Sequence, residues 1–253
     1  MTLLKIQRLL HEEANDRNFH QHPEGQFFIV NTGVVSVETE NGRWVMPPGC
    51  IGWIPPNTGH GASMHGAMTG TSLYFSEEWS RDRLPDSLRL VRLSPLLISL
   101  LDAFAELTIN SGAAVYESYL VVFAHEFCRL PEQKLFLPMP YEKRLLKMAK
   151  SLLIEPENSM TVGEWSHQIG MSRRTLTRQF KSETGWSFVQ WRQQMRLLIS
   201  LERLLAGESV TSISLSLGYT SVSSFIAVFS RYMGATPKNY LSKQHPSSTF
   251  SRR

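Results

Sequence analysis

The stretch that decides the reading of this chain is Gly170-Met171-Ser172-Arg173-Arg174-Thr175-Leu176-Thr177-Arg178-Gln179-Phe180-Lys181, which runs on to Trp191. A second segment, Gly218 to Tyr240, can be laid over it. Gly170 pairs with Gly218 and, after a one-residue insertion, Leu176 with Phe225. Phe180 then falls on Phe229, Gly185 on Gly234 and Trp191 on Tyr240. Each copy reads as a short helix, a glycine turn and a second helix. The glycine allows a left-handed cap that a Cβ would oppose, and Ser172 or Ser221 stands where a side chain can cap the second helix. In the first copy that helix buries Leu176 and Phe180 on one face and exposes Arg173, Arg174, Thr175, Thr177, Arg178 and Lys181. An apolar back with a front of guanidinium and hydroxyl groups is what major-groove readout requires. Between the copies, Met195, Leu198, Leu201 and Leu205 recur at helical spacing, so one helix sets their separation.

Charge points the same way. Residues 138–253 carry 16 Lys+Arg against 7 Asp+Glu, a formal +9, while residues 1–137 carry 10 against 15, a formal −5. Such asymmetry implies that only the second half meets a polyanion.

Residues 141–243 resemble the DNA-binding domain of the AraC/XylS family of transcription regulators. The resemblance lies in Gly170 to Lys181, in Leu217-Gly218-Tyr219, and in Phe229 with Gly234-Ala235-Thr236-Pro237-Lys238-Asn239-Tyr240. It implies two helix-turn-helix units, about 161–181 and 209–230, entering successive major grooves from one side of an operator in double-stranded DNA. It also implies that Arg173, Arg174, Thr177 and Arg178 form the contacting face of the first recognition helix. The corresponding face of the second holds Val222, Ser223, Ile226 and Ala227. Ala227 departs from the family, which often has a long polar residue there, so the first helix should carry most of the discrimination. Ser221, Ser223 and Ser224 remain available for phosphates.

Upstream, Phe27 to Tyr74 reads as short strands. FFIV, VVSVETE and RWVMPPG are separated by turn signals, with Asn41-Gly42 marking a hairpin. After Pro85, Leu97, Leu100, Leu101, Phe104 and Leu107 recur at helical spacing, and Tyr116, Tyr119, Leu120, Phe123 and Phe127 repeat the pattern beyond Ser111-Gly112. This helical hairpin serves either a dimer contact or packing against the strands. Three prolines between Pro131 and Pro140 read as a linker. The expected organisation is an α+β multidomain chain: a barrel over 1–84, a helical hairpin over 85–137 and an all-α double helix-turn-helix over 138–253.

His20-Gln21-His22, Gln26 and Gly33, followed by Gly49, Pro55 and His60, resemble the two motifs of the cupin family. Gln26 stands where metal-binding cupins usually have Glu, Asn57 replaces an inner Gly, and Met64 replaces a final Asn. A cupin-like barrel in this position implies a sensing domain for a small effector. His20, His22 and His60 can hold a divalent metal ion, with Gln26 or a carboxylate ligand completing the shell, or can line an effector pocket. Trp44, Trp53, Phe28 and Tyr74 are candidates for apolar lining.

The longest unbroken apolar stretch is about five residues, Leu120 to Ala124, against roughly 18 for a membrane helix. The first residues lack a signal-peptide pattern, and two cysteines make no disulfide framework. The expectation is a cytoplasmic, non-enzymatic transcription regulator. It would be a homodimer bound to DNA without a membrane, meeting RNA polymerase if it activates. The rival reading is a metal-dependent cupin enzyme whose basic half is an interaction module.

Overall fold

The computed structural model describes residues 2–12, 15–106 and 113–243. They form two compact units: residues 2–35 with 46–134, and Ser36–Val45 with 135–243. Leu107 and the break at Ser111-Gly112 lie outside the described residues.

The first unit holds β1 (Leu3–His11), β2 (Asn15–His20), β3 (Gly25–Thr32), β6 (Cys50–Ile54), β7 (His60–Met64), β8 (Met68–Phe75) and β9 (Arg89–Arg92). Its helices are α1 (Glu77–Arg83), α2 (Pro95–Glu106) and α3 (Ala113–Arg129). Five strands make an antiparallel sheet in the order β1-β8-β3-β6-β9, and β2 pairs antiparallel with β7. Register assigns the faces. Gln26 lies opposite Ile54 and Tyr74, and Phe28 opposite Gly52 and Ser72, so these side chains share one face. The alternate residues, Phe27, Ile29, Trp53, Leu73 and Phe75, point to the other face and are buried beneath α2 and α3.

Aromatic contacts close that layer. The Phe27 ring lies 5.0 Å from Phe123 and 4.8 Å from Phe127, both edge-on. Leu97, Leu100, Leu101, Phe104 and Leu120 belong to the same core. Much of the apolar stripe of the helical hairpin is thus spent on the sheet, while Val115, Tyr119 and Val122 of α3 stay exposed. The segment after Pro85 is not wholly helical, because Arg89–Arg92 adds an edge strand to β6.

The second unit begins with the hairpin β4 (Val35–Thr39) and β5 (Gly42–Met46). Asn41-Gly42 marks the turn as expected, but Gly42 has a second reason to be glycine. A Cβ there would sit 2.4 Å from the Leu137 carbonyl oxygen. The close neighbour is β10 (Phe136–Pro138), which pairs antiparallel with β5. The proline-rich segment therefore contains a strand. Its prolines are tolerated because an edge strand can lose ladder donors.

Seven helices follow: α4 (Lys143–Ile154), α5 (Val162–Gln168), α6 (Arg173–Thr184), α7 (Phe188–Leu205), α8 (Val210–Ser216), α9 (Val222–Met233) and α10 (Pro237–Lys243). Gly170 and Gly218 end α5 and α8 at φ 64° and 72°, and Gly185 and Gly234 end α6 and α9 at 75° and 71°. The two copies share their packing geometry as well. Phe180 meets Trp191 at 5.6 Å and 87°, and Phe229 meets Tyr240 at 5.8 Å and 88°. Trp191 is fully buried and donates its indole N–H to the Pro138 carbonyl at 2.6 Å.

Candidate DNA interface and histidine cluster

The start of α6 is held by its own hydroxyls. Ser172 accepts the backbone N–H of Thr175 at 3.1 Å, and the two side-chain oxygens lie 2.8 Å apart. Thr177 donates to the Arg173 and Arg174 carbonyls at 3.0 and 3.1 Å. Leu176 and Phe180 anchor the buried face. Arg173, Arg174, Arg178 and Lys181 are therefore the exposed side chains with reach, standing on a rigid, capped helix.

In α9, Ser221 caps the Ser224 N–H at 3.1 Å, and Ser224 donates back to the Ser221 carbonyl at 2.7 Å. Val222 and Ile226 are half-buried, and Ser223 and Ala227 are exposed. Two of the three serines at this end are thus engaged in the cap. Arg231, exposed in the last turn, stands four residues beyond Ala227 on the same helical face. Sequence reasoning missed it, although the i, i+4 spacing from Ala227 was a usable signal. The two helices are spaced by α7, whose 18 residues span about 27 Å. The major grooves they would enter repeat every ~34 Å.

In the first unit the structure brings His20, His22 and His60 together, with ligand nitrogens within 4.8 Å of one another. Each ring is oriented by a carbonyl two residues away. Nδ1 of His20 faces Asn18 O, Nδ1 of His22 faces Glu24 O, and Nδ1 of His60 faces Thr58 O, all at 2.8 Å. A carbonyl can only accept, so each Nδ1 carries the proton, and the Nε2 of His20 and of His60 keeps its lone pair, whereas the Nε2 of His22 faces the side-chain oxygen of Gln26. That is how metal-ligating histidines are commonly held. Tetrahedral zinc with bonds of about 2.0–2.1 Å needs nitrogens about 3.4 Å apart, so a modest contraction closes the set. Burial is the main cause that drives the His60 pKa down to about 4, against the Thr58 hydrogen bond, and His20 and His22 add to the shift. The imidazole is neutral near pH 7 and able to coordinate.

Gln26 is buried and joins the cluster: its Oε1 lies 3.2 Å from His22 Nε2, and its Nε2 donates to Ser72 Oγ at 3.0 Å. Tyr74 stands edge-on to His22 at 5.6 Å. Phe28 shares the Gln26 face, whereas Trp53 packs on Phe27 at 4.7 Å in the opposite layer. Trp44 stacks on Phe136 at 4.0 Å in the second unit. Of the four aromatics considered for lining, Tyr74 and Phe28 are on the histidine side of their sheet. Glu24 supplies the carbonyl that orients His22. Asn57 takes the left-handed conformation at φ 59°, which explains how it replaces a glycine.

Two family models match separate parts of the chain. A helix-turn-helix domain model matches residues 165–243, and an AraC-like ligand binding domain model matches residues 7–114. The chain is 31% identical over 225 residues to the HTH-type transcriptional regulator NimR of Escherichia coli K12, spanning 88% of this chain and 82% of that protein.

The chain belongs to the AraC family of transcription regulators.

It is a DNA-binding regulator with an N-terminal ligand-binding domain. It is also 34% identical over 88 residues to the bifunctional transcriptional activator/DNA repair enzyme Ada of Escherichia coli K12, covering 35% of this chain and 25% of Ada. Fatty-acid-bound ToxT of Vibrio cholerae covers 95% of each chain at 15% identity and a TM-score of 0.40. Among the described residues no helix is long and apolar enough to cross a membrane.

Proposed function

We propose that this AraC-family regulator senses its effector at the histidine cluster, and that a divalent metal ion is part of that site. His20, His22 and His60 would hold the ion through Nε2, with Gln26 beside them. The metal would act as a Lewis acid that draws in an anionic effector group, because four neutral donors leave its charge uncompensated. The observation that carries this reading is the orientation of all three imidazoles by backbone carbonyls. Binding would shift the population of arrangements competent for the operator.

The chain acts as a cytoplasmic homodimer, with the exposed Val115, Tyr119 and Val122 face of α3 as the contact. If it activates, it does so by engaging RNA polymerase. It is not an enzyme. The rival, a metal-dependent cupin enzyme, is disfavoured by Gln26, since a carboxylate serves a catalytic metal better.

The test is operator affinity of the full chain, measured with metal added and after chelation. A change in affinity that His60→Ala abolishes supports the reading. Equal affinity under both conditions removes the metal from it.

A further inference from the structure

One helix of the DNA-binding half has no role in a two-helix description of readout. Its sequence, KRLLKMAKSLLI, has no acidic residue. Leu145, Met148, Ala149 and Leu152 face inward, and Lys143, Arg144, Lys147 and Lys150 are all exposed. Spacings of three and four residues put these cations along one flank of α4.

Two observations fix what that flank is next to. Arg144 Nη1 donates to the Gly170 carbonyl at 3.1 Å, and Gly170 lies two residues before the cap of α6. The side chains of Arg144, Lys147 and Ser151 also line a cleft of about 370 Å³ with Gln168 and Ile169 at the end of α5, over Met148 and Trp165. The nearest carboxylate on this helix, the N-cap Glu142, is engaged by Arg144 Nε at 2.9 Å and by the N–H groups of the first turn. Lys147 belongs to the lining of this cleft and has no carboxylate in its own helix.

In helix-turn-helix docking the first helix of the pair crosses the phosphate backbone while the second enters the groove. Here the first helix is α5, and its last turn is one wall of the cleft. We infer that α4 is a third DNA-contacting element: Lys147, with Arg144, Ser151 and Gln168, grips a phosphodiester of the strand bordering the first major-groove site, and Lys143 and Lys150 add to the field along it. The contact reads no bases. It adds affinity and fixes register.

This rests on the DNA-binding reading, and the experiment separates the two. Full-length protein is titrated by fluorescence anisotropy with a selected operator duplex and with a random duplex, across a salt series. Arg178→Ala serves as the groove-helix reference, and Arg81→Gln as a charge change in the other unit. Lys147→Gln should weaken binding to both duplexes by about fivefold and lower the log K against log salt slope by about one, leaving their ratio unchanged. Lys147→Arg should keep the slope, since the charge is retained. Circular dichroism guards against misfolding, which an exposed helical position does not invite.

Unchanged affinity and slope in Lys147→Gln, with Arg178→Ala still weakened, overturns the inference and leaves the groove reading intact. Loss of reporter activity with unchanged DNA binding also overturns it, and would assign the flank to an acidic protein surface. A wild-type chain that binds neither duplex overturns the DNA-binding reading itself.

Discussion

Arg43 Nη2 lies 2.8 Å from Oε1 of Glu202, and the two groups bind a hairpin strand to the helix that spaces the recognition helices. Ser36 Oγ donates to the same carboxylate oxygen and accepts from Arg43 Nη2 at 3.1 Å. The Glu202 side chain is 6% exposed and that of Arg43 15%. A carboxylate this deep in the protein needs its cation, because desolvation costs more than a lone hydroxyl returns.

Glu202→Ala is accordingly expected to destabilise the chain by about 3 kcal/mol, since a guanidinium would be left in a largely dry site. Replacing both partners with apolar residues of similar size, Arg43→Met with Glu202→Leu, should recover most of that loss. Urea denaturation of the single and double variants measures it.

The asymmetry between α6 and α9 has a consequence at the DNA. Arg178→Ala should cost about 1–3 kcal/mol on the operator and relax preference at one base pair, if measured by competition among operator variants. Equal losses on operator and random DNA would reduce Arg178 to a phosphate contact. Ala227→Arg places a cation at the matching position of α9 and should tighten binding, with the salt slope steeper by about one.

The histidine cluster predicts a metal stoichiometry near one per chain by calorimetry, lost in His60→Ala. Gln26→Glu supplies an anionic donor and should tighten metal binding by about tenfold or more. No response to Gln26→Glu would place the ion elsewhere.

In metal-free protein His60 also links stability to pH. Its folded pKa of about 4 lies below the ordinary 6.5. The unfolded chain therefore binds the proton first as pH falls. The contribution is whole above about 6.5 and is lost as pH drops toward 4. Thermal unfolding from pH 7 to 4 should show a shallower decline for His60→Gln than for the wild type.

The exposed α3 face predicts that Tyr119→Asp or Val122→Asp converts dimer to monomer by sedimentation without lowering Tm. A wild-type monomer at all concentrations would remove this face from any role in assembly.

Signals that act within a few residues were legible in the sequence. The four glycines at positive φ, the serine caps and the paired Phe180–Trp191 and Phe229–Tyr240 contacts each depend on local conformation or on a repeat that can be read twice. The histidines were legible because their spacing matches a known motif, and α2 and α3 because apolar residues recur at helical period.

What the sequence alone determined, then, is a strand-rich N-terminal half followed by a doubled helix-turn-helix, with α6 carrying more exposed cations than α9. Tertiary structure alone decided which partners meet across long separations: Arg43 with Glu202, Leu137 against Gly42, and the α4 cations beside Gly170. Backbone preferences and hydrophobic period are written in neighbouring residues, whereas a buried ion pair or a close backbone approach depends on how distant elements pack. No single stretch of chain contains that information.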